Sequence, residues 1–95
     1  MPIAMYFAPK NLDPTTYASI NARLADLDRP AGRLYHAAFA IGGELHVFDV
    51  WEDEASFEAF GQHLGPLLAE HGVEGADPVV GPVERIMVGE AGTPA

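Results

Sequence analysis

The chain has 95 residues, of which 48% are hydrophobic, a composition that supports one small folded domain and excludes a disordered chain. It contains no cysteine, which excludes a disulfide scaffold, a thiolate metal site and a cysteine nucleophile. No apolar run approaches the roughly 20 residues of a membrane-spanning helix, and the N-terminus lacks the pattern of a secretory signal, so we expect a cytoplasmic protein.

Negative charge dominates the sequence and is concentrated in its second half. Fourteen acidic and five basic residues give a net charge of −9. Residues 44–95 hold eleven of the acidic residues and a single basic residue, Arg85. Because such a surface repels nucleic-acid phosphates and anionic lipid headgroups, we expect neither a nucleic acid nor a membrane as a partner.

The first third of the chain predicts a strand followed by a helix. Residues 2–8 alternate larger and smaller apolar side chains, which is typical of a strand. Asp13 and Pro14 suit the N-cap and the first position of a helix. The apolar stripe of this helix recurs at steps of three and four residues and consists of Tyr17, Ile20, Leu24 and Leu27. Residues 28–32 contain Pro and Gly and end the helix.

A hairpin and a second helix are predicted next. Residues 34–41 and 44–52 form two strands, joined at Gly42-Gly43 because both glycines accept a positive φ. Asp53 predicts the N-cap of the second helix, and Gly61 with Gly65-Pro66 predicts a kink or two helical pieces. The buried stripe of this helix consists of Phe57, Phe60, Leu64, Leu67 and Leu68. His71-Gly72 predicts its end.

The resulting order, βαββαβ, predicts an α+β, ferredoxin-like domain over residues 1–88. Its last strand covers residues 78–88, and the interruption at Gly81-Pro82 predicts either a bulge or a position at the sheet edge. Residues 89–95 are predicted to form a flexible tail. A four-stranded antiparallel sheet with both helices on one face leaves the other face uncovered and apolar, so we expect a homodimer that covers it.

Pairing across the Gly42-Gly43 turn follows from its two-residue length, because residues whose numbers sum to 85 then face each other. On one side of the sheet these pairs are Ala40 with Leu45, Ala38 with Val47, His36 with Asp49 and Leu34 with Trp51. The other side carries more large apolar groups, such as Phe39 and Phe48, so we predict that this other side packs against the helices. The side with small and polar residues is then predicted to be the face that the partner covers and to leave room for a ligand.

Four residues on that side form the candidate site. His36, Asp49 and Trp51 come from the hairpin, and Tyr6 joins them if the larger side chains of the first strand face the helices. A carboxylate beside an imidazole fixes the tautomer of the ring and increases its basicity, and an aromatic wall stacks on a flat ligand. The His36–Asp49 pair therefore acts as a general base on a bound phenol or carbonyl, or it is a buried pair that only fixes the strand register.

The remaining polar residues carry weaker signals. Arg85 either neutralises an acidic group in the pocket, where it would bind substrate, or pairs with a surface carboxylate. His46 and His63 are interpreted as ordinary solvent-facing residues. No three histidines stand at metal-ligand spacing with a carboxylate, so no metal is predicted.

The stretch from Val47 to Phe60 resembles the strand-to-helix junction of the dimeric α/β-barrel superfamily, which includes the antibiotic-biosynthesis monooxygenase-type domains and the haem-degrading monooxygenases. The element order over residues 2–88 is similar as well. The run around Leu64-Gly65-Pro66-Leu67 and Gly72-Val73 resembles small, uncharacterised stand-alone members of that superfamily. The resemblance implies a homodimer in which the two sheets form a barrel.

Two branches of the superfamily are distinguished by individual residues. The haem-degrading branch lines its pocket with a Trp that corresponds to Trp51, but it also uses an Asn on the first strand and a His on the second helix. This sequence has Tyr6 or a neighbouring residue at the first place and Gly61 at the second, which argues against haem degradation. The cofactor-independent oxygenase branch binds a polyphenolic substrate in a buried pocket of aromatic and polar groups. The residues that resemble such a pocket in kind are His36, Asp49, Trp51 and Tyr6.

Two functions therefore remain open. One is a cofactor-independent monooxygenase-like enzyme that acts on a small aromatic molecule, with His36 and Asp49 as catalytic residues and with Tyr6, Trp51 and Arg85 binding the substrate. The other is a non-catalytic dimeric module that binds a small apolar ligand or serves assembly only. Neither function requires a cofactor.

Overall fold

The computed structural model describes residues 2–24, 30–75 and 77–87. Its elements follow the predicted βαββαβ order. They are β1 (Ile3–Phe7), α1 (Pro14–Leu24), β2 (Arg33–Ile41), β3 (Glu44–Trp51), α2 (Glu54–Glu70) and β4 (Val79–Pro82). No helix within this described part of the chain is long and apolar enough to cross a bilayer.

The four strands form one antiparallel sheet in the order β2-β3-β1-β4. Both helices pack on one face of this sheet, because Ile20 of α1 lies in a buried cluster with Leu45 of β3, and Phe60 of α2 lies in another with Met5 and Trp51. This is the ferredoxin-like arrangement that the element order predicted. β4 lies at an edge of the sheet, as its Gly81-Pro82 pair indicated.

Both helices begin where the sequence predicted, at an aspartate N-cap. A carboxylate oxygen of Asp13 accepts from the backbone N–H of Thr16 at 2.7 Å, and one of Asp53 accepts from the backbone N–H of Ser56 at 2.8 Å. The backbone N–H of Thr16, together with its hydroxyl, favours the charged form of Asp13 and lowers the pKa of that carboxyl group. The hydroxyl of Ser56, together with its backbone N–H, lowers the pKa of Asp53 in the same way. Each cap is therefore stabilising above the ordinary pKa of aspartate, and this contribution is lost as the pH falls through the lowered value.

Of the two alternatives predicted for α2, a kink or two helical pieces, the second is wrong, because α2 is one element. It runs without interruption through Pro66, which removes one backbone donor. Phe60 before the proline and Leu68 after it both pack in the buried clusters. We attribute the continuity of the helix to this packing of both halves. The predicted end at His71-Gly72 is confirmed, with Gly72 at a φ of 71°.

The last strand is shorter than predicted. β4 pairs with β1 only from Tyr6↔Val79 to Ile3↔Pro82, because β1 itself begins at Ile3. One further bond, from the N–H of Val83 to the carbonyl of Pro2 at 2.9 Å, continues the contact beyond the strand. Leu27 of the predicted stripe and the predicted tail at 89–95 lie outside the described residues.

The hairpin confirms the predicted turn and most of its register. Gly42 and Gly43 have φ values of 59° and 85°, and the predicted pairing holds from the turn to Tyr35↔Val50. It fails at Leu34, where a bulge places Arg33 rather than Leu34 opposite Trp51. The predicted Leu34–Trp51 pair is therefore wrong, and the bulge puts a cation on the side of the sheet that carries Trp51.

The prediction of which side packs against the helices is also wrong. Trp51 contacts the rings of Phe57 and Phe60 on α2, and His36 forms a hydrogen bond with the hydroxyl of Tyr17 on α1. The side with the polar pair therefore faces the helices. The opposite side, which we call the open face, carries Tyr6, Tyr35, Ala37, Phe39, Ile41, His46 and Phe48.

Gly32 is expected to tolerate no side chain, because its φ is +86° and an added Cβ would lie 2.4 Å from the Ser56 hydroxyl oxygen. Gly43 is a matched control with a φ of +85° and no atom within 4 Å of the added carbon. The positive φ alone costs roughly 1–2 kcal/mol in either variant. We expect Gly32→Ala to lower the free energy of unfolding by clearly more than Gly43→Ala, as measured by urea denaturation. Equal losses would show that Ser56 moves aside freely.

Candidate functional site

The predicted His36–Asp49 pair forms the centre of the site. The two residues are direct partners in β2 and β3, and His36 Nδ1 lies 2.5 Å from Asp49 Oδ1. Asp49 Oδ2 accepts from the indole N–H of Trp51 at 3.3 Å. The Asp49 side chain is 8% exposed and that of His36 is 26% exposed. Since Nδ1 donates to the carboxylate, Nε2 of a neutral ring is left as an acceptor.

Tyr17 extends this pair into a chain of three side chains. Its hydroxyl lies 2.6 Å from His36 Nε2, and its ring is nearly parallel to the imidazole, at 8° and 6.2 Å between centroids. The hydroxyl donates to Nε2 and is polarised by it. Tyr17 belongs to the predicted apolar stripe of α1, and its contact with His36 was not predicted because the hairpin was expected to turn His36 away from the helices.

A cavity of about 190 Å³ lies beside this chain, between the sheet and the helices. Most of its wall is apolar, and its polar lining residues are Tyr17, Asn21, Arg33, His36 and Asp49. An apolar cavity of about 150 Å³ is known to admit benzene, so this one has room for a one-ring or small two-ring compound. The polar chain therefore borders a space suited to a small aromatic molecule.

All three predicted binding residues, Tyr6, Trp51 and Arg85, lie outside the cavity lining. Tyr6 is on the open face, where its hydroxyl bonds Nδ1 of His46 instead of joining His36. Arg85 follows β4, is exposed, and does not line the cavity. Among the basic residues that the structure describes, the one beside the cavity is Arg33, whose guanidinium carbon lies 5.6 Å from the centre of the Phe60 ring. No sequence signal pointed to Arg33, because the bulge at Leu34 is not visible in the strand pattern.

Trp51 is close to the pair, as predicted, but it lies in the buried core next to Asp49 and not in the cavity wall. Its side chain is fully buried, and its ring packs on Phe57 and Phe60. It does not line the cavity, so its contact with the site is the hydrogen bond to Asp49. Both oxygens of the carboxylate are thereby occupied, which fixes the orientation of Asp49 and, through it, of His36.

The arrangement is suited to moving a proton at the edge of an apolar cavity. Asp49 holds the imidazole in one tautomer, Nε2 accepts from the Tyr17 hydroxyl, and Tyr17 lines the cavity. A hydroxyl group bound beside Tyr17 can pass its proton through the phenol to the imidazole. Within the described ranges, no cluster of three or more His, Asp or Glu side chains is arranged to hold a metal ion.

Comparison with known proteins identifies the fold. No protein-family profile matches the sequence, and no curated protein is significantly similar to it. Among solved structures, protein YJCS superposes with a TM-score of 0.67 at 12% identity, over 88% of this chain and all of that chain. The cofactor-independent oxygenase SnoaB from Streptomyces nogalater superposes with a TM-score of 0.58 at 16% identity, over 90% of this chain and 94% of its own.

A third similar structure is a candidate antibiotic biosynthesis monooxygenase from Chloroflexus aurantiacus. It has a TM-score of 0.62 at 13% identity, over 94% of this chain and all of that one. Identities this low establish shape and topology alone. The chain therefore has the ferredoxin-like fold of the antibiotic biosynthesis monooxygenase-like proteins, as its strand-to-helix junction indicated.

Proposed function

We propose that the protein binds a small hydroxy-aromatic molecule between its sheet and helices and oxidises it with molecular oxygen without a cofactor. The observation that carries this proposal is the chain Asp49–His36–Tyr17, which ends at the apolar cavity. The similarity in fold to SnoaB, a cofactor-independent oxygenase, supports it.

The proposed role of the chain is to remove the hydroxyl proton of the ligand. The ligand hydroxyl donates to the Tyr17 oxygen while the proton of Tyr17 moves to His36 Nε2, 2.6 Å away. Asp49 stabilises the imidazolium that results, since its carboxylate lies 2.5 Å from Nδ1. The apolar wall holds the ring of the ligand and keeps water away from the phenolate.

The oxidation that follows is balanced with oxygen as the only co-reactant. The electron-rich phenolate forms a carbon–oxygen bond to O₂ at a ring carbon that carries hydrogen. That carbon–hydrogen bond and the oxygen–oxygen bond then break, and the departing oxygen takes up both the proton held on His36 and the proton released from the ring carbon. One oxygen atom remains as the second carbonyl of a quinone and the other becomes water, so a phenol and O₂ yield a quinone and H₂O.

Oxygen uptake with 1-naphthol tests this function. The probe is flat and apolar, with one hydroxyl and an unsubstituted para carbon, and its product is 1,4-naphthoquinone. We expect the protein to consume one O₂ for each quinone formed, and we expect His36→Gln to abolish the uptake while it still binds the probe. Binding without oxygen uptake in the wild type would contradict the enzymatic proposal and support a ligand-binding module.

We also propose that a second copy of the chain covers the open face. Tyr35, Phe39 and Ile41 are 39%, 41% and 54% exposed there, and Val79 at the β4 edge is 71% exposed. Side chains of this size in one contiguous patch are typical of an interface. Obligate dimers bury roughly 2,000 Å² or more of accessible surface in total, and we expect the dimer formed through the open face to do the same. In this arrangement each protomer keeps its own cavity, because the cavity lies on the side with the helices.

A further inference from the structure

We propose that the ligand carries a carboxylate that pairs with Arg33, so that the substrate class is a small hydroxylated aromatic acid. This inference rests on the proposed function for the hydroxyl end of the ligand. Its acidic end is argued independently, from the position and surroundings of Arg33.

The bulge in β2 directs Arg33 to the cavity. Because the register shifts between Arg33 and Tyr35, Arg33 stands opposite Trp51 on the side of the helices, while Leu34 is 52% exposed. The guanidinium lies over the ring of Phe60, which also lines the cavity. An arginine stacked on a buried aromatic ring presents its donors in a fixed orientation.

Arg33 also differs from the other basic residues of the chain. The structure describes Lys10, Arg23, Arg33 and Arg85, and among these four Arg33 alone lines the cavity. Arg23 pairs with Glu70 at 3.2 Å, whereas no carboxylate of the described residues lies within ion-pair distance of Arg33. Asp49 borders the same cavity, but its oxygens already accept from His36 and Trp51.

An anionic ligand would complete this site. A half-buried cation at an apolar cavity loses hydration, and a bound anion compensates for that loss. The planar fork of a guanidinium matches the two oxygens of a carboxylate, which makes the pairing specific for this group. Tyr17 and Arg33 line one small cavity, so a single aromatic ring with a hydroxyl and a carboxylate presents one group to each.

The test compares 4-hydroxybenzoate with 4-hydroxybenzamide, which differ only in the charge of the group that faces Arg33. By calorimetry on the wild-type protein, we expect the acid to bind roughly tenfold to a hundredfold more tightly than the amide. Raising the salt concentration should narrow this difference. An amide that binds as tightly as the acid would overturn the inference.

Variants then assign the preference to Arg33. We expect Arg33→Gln to remove the preference for the acid and to retain the affinity for the amide, which also shows that the variant is folded. Arg85→Gln removes an exposed charge outside the cavity and should leave the preference unchanged. A preference that survives in Arg33→Gln overturns the assignment. Binding that depends on Arg33 but is accompanied by no oxygen uptake with 1-naphthol would sustain this inference while contradicting the enzymatic function.

Discussion

Asp49→Asn is expected to lower the turnover of 1-naphthol by roughly 10²–10⁴-fold, with little change in the affinity for the probe. Asn keeps the shape of the side chain, but it removes the charge that lies 2.5 Å from His36 Nδ1 and would stabilise the imidazolium. The probe itself contacts the cavity wall, so its binding does not depend on this charge. Oxygen uptake gives the turnover, and calorimetry gives the affinity.

The control for this variant is Asp77→Asn, which removes the same charge from an exposed position of the chain. Its turnover should equal that of the wild type. Asp49→Asn should also lose roughly 1–3 kcal/mol of stability, because a buried hydrogen-bonded carboxylate is replaced by an amide. If Asp49→Asn lost this stability but kept full turnover, the pair would have only a structural role.

Phe39→Glu is expected to convert the protein from a dimer to a monomer at micromolar concentration. Light scattering on the wild type should give twice the 10.1 kDa mass of the chain. Phe39 lies on the open face and is 41% exposed there. Its ring stacks on that of His46, with the two ring centroids 5.7 Å apart. A carboxylate at that position would be buried without a partner in the proposed interface, which is strongly unfavourable.

Ala18→Glu supplies the matched control, because it introduces the same charge at an exposed position of α1. This variant should remain a dimer. A wild-type protein that scatters as a monomer would contradict the proposed interface. So would a Phe39→Glu variant that keeps the dimer mass.

The hairpin shows how much of the fold is determined locally. Gly42-Gly43 accepts the positive φ values of a two-residue turn, and that turn fixes His36 opposite Asp49 without reference to the rest of the chain. The N-caps at Asp13 and Asp53 are equally local. For this reason the order of the elements and the pairing at the centre of the site could be predicted from sequence.

The orientation of the hairpin is a non-local property, and its prediction failed. Both sides of the hairpin carry large apolar groups, so counting them does not distinguish the helix side from the open face. The side is set by the pairing of β1 with β3, in which Met5 stands opposite Asp49, and by the Tyr17 hydroxyl, which satisfies His36. Tyr6 was placed in the site for the same reason and belongs to the open face.

The cationic end of the site was missed for a different reason. An unbroken register would place Leu34 opposite Trp51, and a bulge leaves no mark in the alternation of apolar residues. In the sequence, Arg33 therefore lies just before the strand predicted over residues 34–41. Arg85 attracts attention instead, because it is the single basic residue of residues 44–95. Only the three-dimensional pairing shows that Arg33 enters the cavity.

The most direct test of the central claim is the ionisation of 4-nitrophenol bound in the cavity, followed by the visible absorption of its phenolate. If Tyr17 and His36 accept a proton from the ligand, the bound phenol should ionise at a lower pH than the free one, and this shift should disappear in His36→Gln. If the chain is only structural, the apolar wall disfavours the charged form, and the bound phenol should ionise at a higher pH than the free one. A lowered ionisation pH in the wild type that His36→Gln abolishes is the predicted result, and a raised one would contradict it.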